Sequence, residues 1–85
     1  MTNLEKYHKA FIDTFDVSEG DIKGLEYQSI QAWDSVGHMN LMVALEEEFD
    51  IEMDIDDITD FSSYTEGKKI LSKYNVEVDS WYARL

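Results

Sequence analysis

Apolar residues recur along this 85-residue chain at intervals of three and four, and almost nowhere at intervals of two. Three-to-four spacing lines side chains along one stripe of an α-helix, whereas a half-buried strand needs alternation over about four to eight residues. The only alternating stretch, Ile51 to Ile55 in "DIEMDID", is too short for a sheet. Helical stripes therefore have to bury one another, which predicts an all-α fold. With 44% hydrophobic residues there is material for one modest core and a single domain over residues 1–85, with little left for a deep catalytic cleft.

The spacing predicts four helices. Leu4, Tyr7, His8, Phe11, Ile12 and Phe15 mark an amphipathic first helix over roughly residues 3–15. Periodicity then lapses over residues 16–33, where Gly20 and Gly24 break the chain while Val17, Ile22, Leu25, Tyr27 and Ile30 dot it with apolar anchors. A loop of that length reads as one packed across the domain, with room for a helical turn. Asp34 is a good N-cap for a second helix from Ser35 to Phe49, whose buried stripe is His38, Leu41, Met42, Leu45 and Phe49. Ile55, Ile58 and Phe61 suggest a short, tight third helix. Ser63 and Glu66 form a capping box ahead of a fourth, striped by Tyr64, Gly67, Ile70, Leu71 and Tyr74. The expected core spans residues 3–75, and residues 76–85 form a tail carrying Trp81 and Tyr82.

Cysteine and proline are both absent, so no disulfide or thiolate metal site supports the fold and packing alone must stabilise it. No basic start followed by an apolar run marks a signal peptide, and nothing approaches the ~18 apolar residues of a membrane span. The expectation is a soluble, cytoplasmic monomer. Net charge is −12, and Asp34 to Phe61 holds ten Asp and Glu with no Lys or Arg. Such a block repels nucleic-acid backbones and anionic membranes and suits basic partners, although charge runs in general are more often solvated faces. Carboxylates crowded between Glu46 and Asp60 are expected to repel one another, raising some folded-state pKa values and increasing stability as pH falls from neutral.

Within "WDSVGHMNL", Ser35 stands in the first turn of the second helix. Nucleophilic hydrolysis would need a G-x-S-x-G elbow, a base and an oxyanion hole, yet Trp33 occupies the first glycine position and His38 reads as a structural histidine. Asp50, Glu52, Asp54 and Asp56 match alternate positions of a calcium loop, but Ile55 and Phe61 stand where its glycine and final acid belong. A phosphate ester on the serine asks less of the protein. At a helix N-terminus, unpaired amides and the dipole favour an anion. Ser35 is expected to be exposed there, with Gly37 leaving room.

Asp34-Ser35 and an apolar residue, then Leu41, "ALEEEF" from Ala44, Ile51 and the acidic turn resemble the second helix of acyl carrier proteins and related carrier domains. The likeness extends to helix order, loop length and size over residues 3 to about 75. It implies a four-helix acyl-carrier-like bundle, non-catalytic by itself, with 4'-phosphopantetheine attached to Ser35 by a phosphopantetheinyl transferase from coenzyme A. It also implies that Asp34 belongs to the transferase's recognition motif, and that acyl groups ride as thioesters on the arm's own thiol. By the same resemblance, Val36, Val43, Glu46 and Glu47 correspond to positions that dock on basic patches of partner enzymes. Both glutamates are expected to be exposed, so reversing their charge should leave the fold intact. Housekeeping fatty-acid carriers place an acid where Gly37 stands. The form with Trp33, Gly37 and His38 is closer to stand-alone carriers of specialised acylation, such as surface-glycan, polyketide or peptide pathways. The rival reading is an acidic helical interaction module that binds a basic protein and carries at most a phosphate on Ser35.

Overall fold

The computed structural model describes residues 2–78, so Trp81 and Tyr82 lie outside the described residues. Four α-helices follow one another: α1 (Asn3–Phe15), α2 (Ser35–Phe49), α3 (Ile55–Asp60) and α4 (Tyr64–Ser72). A 3₁₀ helix, Glu19–Gly24, interrupts the long first connection. No strand occurs among the described residues, which carry one isolated antiparallel bridge, between Glu26 and Ser63. None of their helices is long and apolar enough to cross a membrane.

The helix starts follow from side-chain caps. At α1 a complete capping box forms, with the Glu5 amide donating to Thr2 Oγ1 and the Thr2 amide to Glu5 Oε1. The box expected at α4 is half made: the Glu66 amide donates to Ser63 Oγ at 3.0 Å, while the Glu66 carboxylate lies 4.0 Å from Lys69 Nζ. Both long helices stop at an aspartate in the left-handed region, Asp16 after α1 and Asp50 after α2. Aspartate tolerates that conformation better than most residues, so these two positions serve where glycine often would.

One core holds the elements together. Tyr7, Phe11 and Phe15 of α1 meet Leu41, Met42 and Leu45 of α2 and Ile70 and Leu71 of α4. From the first connection Ile22, Leu25 and Trp33 are buried in the same cluster, so this segment is packed as its anchors imply. Val76 and Val78 are buried too, which carries the core past residue 75, where the tail was expected to start. A polar chain running from the core to the surface ties α1, the 3₁₀ helix and α4: His8 Nδ1 pairs with Glu19 Oε2 and His8 Nε2 with Tyr64 Oη, each at 2.7 Å. Both ring nitrogens are satisfied, which makes burial of His8 tolerable.

The short α3 departs from its sequence pattern. Ile55 is 78% exposed and Ile58 half-buried, whereas the residue that α3 buries is Asp57. Asp57 Oδ1 accepts from Lys73 Nζ at 2.8 Å and Oδ2 accepts from Tyr74 Oη at 2.5 Å. Those bonds hold its carboxyl below the ordinary aspartate value of 3.8. The direction expected from crowding within the acidic block is therefore reversed at Asp57, because one cation and one hydroxyl at contact distance outweigh more distant like charges. A carboxylate with a lowered folded-state pKa stabilises above its unfolded value, and that stabilisation is lost as pH falls through the folded value. Asp57→Asn should accordingly lower the thermal midpoint at neutral pH but much less at a pH below the lowered folded-state value, where the wild-type carboxyl has lost its charge. Equal losses at both pH values would remove this carboxylate from the account of acid stability.

Candidate functional site

The start of α2 is fixed by what lies immediately before it. Trp33 is fully buried, stacked on Phe15 with ring centroids 5.2 Å apart and set edge-on to Phe11 at 5.7 Å. With Asp34 as the N-cap, Trp33 occupies N′ and His38 occupies N4, and the two rings stack 15° from parallel. They form a polar version of the hydrophobic staple that sets how a chain enters a helix. Asp34 Oδ1 accepts from the Gly37 amide at 2.8 Å, as expected of the cap. Gly37 is buried, and a Cβ there would overlap the Ala32 carbonyl oxygen, so glycine is required for the turn before α2 to lie against its first turn. Gly37 thus serves packing rather than clearing space beside the serine.

Ser35 is exposed, and its hydroxyl has no hydrogen-bond partner among the described residues. Because the Asp34 carboxylate takes the Gly37 amide, the amides of Ser35 and Val36 are the open donors of this helix start. His38 does not activate the hydroxyl. Its Nδ1 accepts from Trp33 Nε1 at 3.0 Å, and its Nε2 must donate to the Ile58 carbonyl at 2.7 Å, since a carbonyl only accepts. These partners fix the neutral Nε2–H tautomer and leave neither nitrogen to take a proton from Ser35.

Ser35 opens onto a groove of about 470 Å³. Met39, Phe61, Ile55 and Ile58 give it mainly apolar walls, and Tyr27 and His38 close one side. The ring of Tyr27 meets the His38 ring edge-on at 5.5 Å. The groove thus lies between α2, α3 and the turn before α2, with the serine at its mouth.

Around the same serine, α2 presents an apolar ridge to solvent. Val36 is 68% exposed, and Met39 and Val43 follow it at helical spacing, each about half exposed. Ile55 of α3 adds a fourth exposed apolar side chain. Glu47 is exposed as the sequence implies, but Glu46 is half-buried and its Oε2 accepts from the Met53 amide at 2.9 Å. That bond closes the turn between α2 and α3, so the expectation that both glutamates can be reversed without cost to the fold applies only to Glu47. In urea melts, Glu47→Lys should fall within about 0.5 kcal/mol of wild type. Glu46→Lys should lose roughly 1–3 kcal/mol, the cost of stranding a half-buried amide. Equal stability of the two variants would mean that the Met53 bond contributes nothing.

No family model matches the chain, and no curated protein or solved structure is significantly similar to it. The chemistry of the site accordingly rests on its own geometry. Sequence reasoning placed Asp34 and Ser35 together and singled out Val36, Val43 and Glu47, but it missed Met39, Ile55 and the groove. Met39 had a usable signal, lying three residues after Val36 and four before Val43. Ile55 had the opposite signal, since its spacing to Ile58 and Phe61 suggested a shared helical stripe.

Proposed function

We propose that this chain is a carrier of the acyl-carrier type, with Ser35 as the attachment point for 4'-phosphopantetheine and no catalytic activity of its own. The observation that carries the reading is an exposed serine with an unengaged hydroxyl, standing on the first turn of an Asp-capped helix at the mouth of an apolar groove. Ser35 Oγ attacks the pantetheine-bearing phosphorus of coenzyme A, the P–O bond of its pyrophosphate breaks and the nucleotide half leaves as adenosine 3',5'-bisphosphate. The phosphate of the new ester then stands beside the open amides of the α2 start. The arm's terminal thiol supplies the thioester chemistry. The base that takes the serine proton belongs to the transferase, because His38 has both nitrogens committed. Apolar groove walls beside the attachment point suit an acyl cargo, and it is the form of the motif with Trp33, Gly37 and His38 that favours specialised over housekeeping metabolism.

Partner enzymes would meet Val36, Met39, Val43 and Ile55 with Glu47 alongside. Apolar contact supplies affinity, and acidic charge steers basic patches onto it. Asp34 then has two roles, capping α2 and forming part of what the transferase reads. A second reading draws on the same ridge: an acidic interaction module that binds a basic protein through α2 and α3 and bears at most a phosphate on Ser35. Intact mass after incubation with coenzyme A and a broad-specificity phosphopantetheinyl transferase separates the two. One added arm per chain is expected of the carrier. If several transferases leave the chain unmodified, the interaction module becomes the better reading.

A further inference from the structure

The wall of the groove formed by α3 is attached to the rest of the molecule differently from the other helices. Each of α1, α2 and α4 buries several apolar side chains, whereas α3 has six residues and Asp57 as its buried one. A helix of that length has no stability of its own in water. Apart from Ile58, half-buried against the core, its attachments are polar: Asp57 to Lys73 and Tyr74, the Asp54 amide to Tyr74 Oη at 2.9 Å, and the Ile58 carbonyl to His38. Immediately outside this stretch sit two apolar anchors, Met53 before it and Phe61 after it, both buried in the core. The chain from Asp54 to Asp60 is thus a strap pinned at both ends by hydrophobic burial and held down in between by hydrogen bonds.

We propose that α3 opens as a unit separate from the other three helices, and that Asp57 is the positioning residue that keeps it closed over the groove beside Ser35. Lys73 and Tyr74 grip Asp57 from the end of α4 and His38 of α2 bonds the Ile58 carbonyl, so hydrogen bonds tie the strap to two other elements. Apolar burial resists exchange with solvent, whereas exposed or half-exposed hydrogen bonds trade protein partners for water at little net cost. Regions that open locally are drawn from segments with few buried apolar contacts. The inference stands on the attachment of α3 alone and holds whether or not Ser35 carries an arm, so a failure to load Ser35 leaves it untouched.

Amide hydrogen exchange followed by NMR on the full chain at neutral pH tests the proposal. In the wild type, the amides of Ile58, Thr59 and Asp60 should exchange at least tenfold faster than those in the interiors of α1 and α2. Asp57→Asn should speed the α3 amides by a further tenfold or more. Because it also lowers the stability of the whole fold, the α1 and α2 amides should speed up as well, with the α3 amides staying at least tenfold ahead of them. Tyr74→Phe, which keeps the ion pair with Lys73, should move them the same way by less, and Asp57→Glu should restore part of the protection. Nile red, a neutral apolar dye, should bind Asp57→Asn more strongly than wild type as the groove becomes accessible. Unchanged α3 protection in both Asp57→Asn and Tyr74→Phe would overturn the proposal. So would wild-type α3 amides that exchange no faster than those in the interiors of α1 and α2, which would make α3 part of one cooperative unit.

Discussion

Ser35→Ala should abolish loading: under conditions that add one phosphopantetheine to the wild-type chain, the intact mass of the variant should not change. The fold should be unaffected, because Asp34 caps α2 and the Ser35 hydroxyl has no partner among the described residues. Alanine is also the best helix former, so a stability change within about 0.5 kcal/mol is expected at this exposed position. The other serines differ in what their hydroxyls do. Ser18 donates to Asp21 and Ser72 to the Lys69 carbonyl, while Ser29 and Ser63 accept backbone amides. Ser62 is exposed and also has no side-chain partner, but Phe61 precedes it and it stands outside the first turn of α4. Ser80 lies outside the described residues. Peptide mapping that places the arm on Ser62, or full loading of Ser35→Ala, would overturn the site assignment.

Gly67→Ala should be, with Gly37→Ala, among the most damaging single-methyl changes in the fold. A Cβ at Gly67 would overlap both Phe61 Cζ and Tyr7 Oη, and both rings are essentially without solvent exposure. Neither has room to withdraw. Tyr7 is held by the hydrogen bond from its hydroxyl to the Tyr64 carbonyl at 2.7 Å, and Phe61 by the aromatic cluster around Trp33. Overpacking of this kind costs roughly 1–3 kcal/mol, and losing the Tyr7 bond adds to it. Helix propensity favours alanine over glycine by about 1 kcal/mol and offsets part of the damage. The lost bond and the propensity gain are each about 1 kcal/mol and opposed, so the net expectation is a loss of roughly 1–3 kcal/mol. For a domain of this size each ~1 kcal/mol lowers the melting midpoint by roughly 4–8 °C. A variant that melts at or above the wild-type midpoint would mean that α4 can move away from α1 without cost.

Wherever a structural property depends on neighbours along one helix, it was legible in the sequence. The extents of α1 and α2, the Asp34 cap and the buried stripe of Leu41, Met42 and Leu45 follow from spacing and local capping chemistry, which act within a turn or two. The candidate serine was legible for the same reason, since a cap followed by a helical stripe marks a helix start. Reading failed where partners come from far along the chain. Ile58 and Phe61 shared a spacing with Ile55, yet Asp57 went inward because Lys73 and Tyr74, sixteen and seventeen residues away, were waiting for its carboxylate. Glu46 had the pattern of a surface charge and turned to the Met53 amide instead.

Spacing and capping along the chain were thus enough for an all-α fold over the described residues, for where the long helices begin and end, and for which serine stands at the start of one. Those outcomes are set by interactions spanning three or four residues, whose geometry is the same in any helix. Only the meeting of distant segments made Trp33 the anchor of the serine's helix, set His38 between an indole N–H and a carbonyl, and opened a groove beside Ser35. It also decided that α3 would be held by polar ties. Each of these depends on which surfaces meet when helices and a long connection close on one core, and periodicity along a single element carries no information about that meeting.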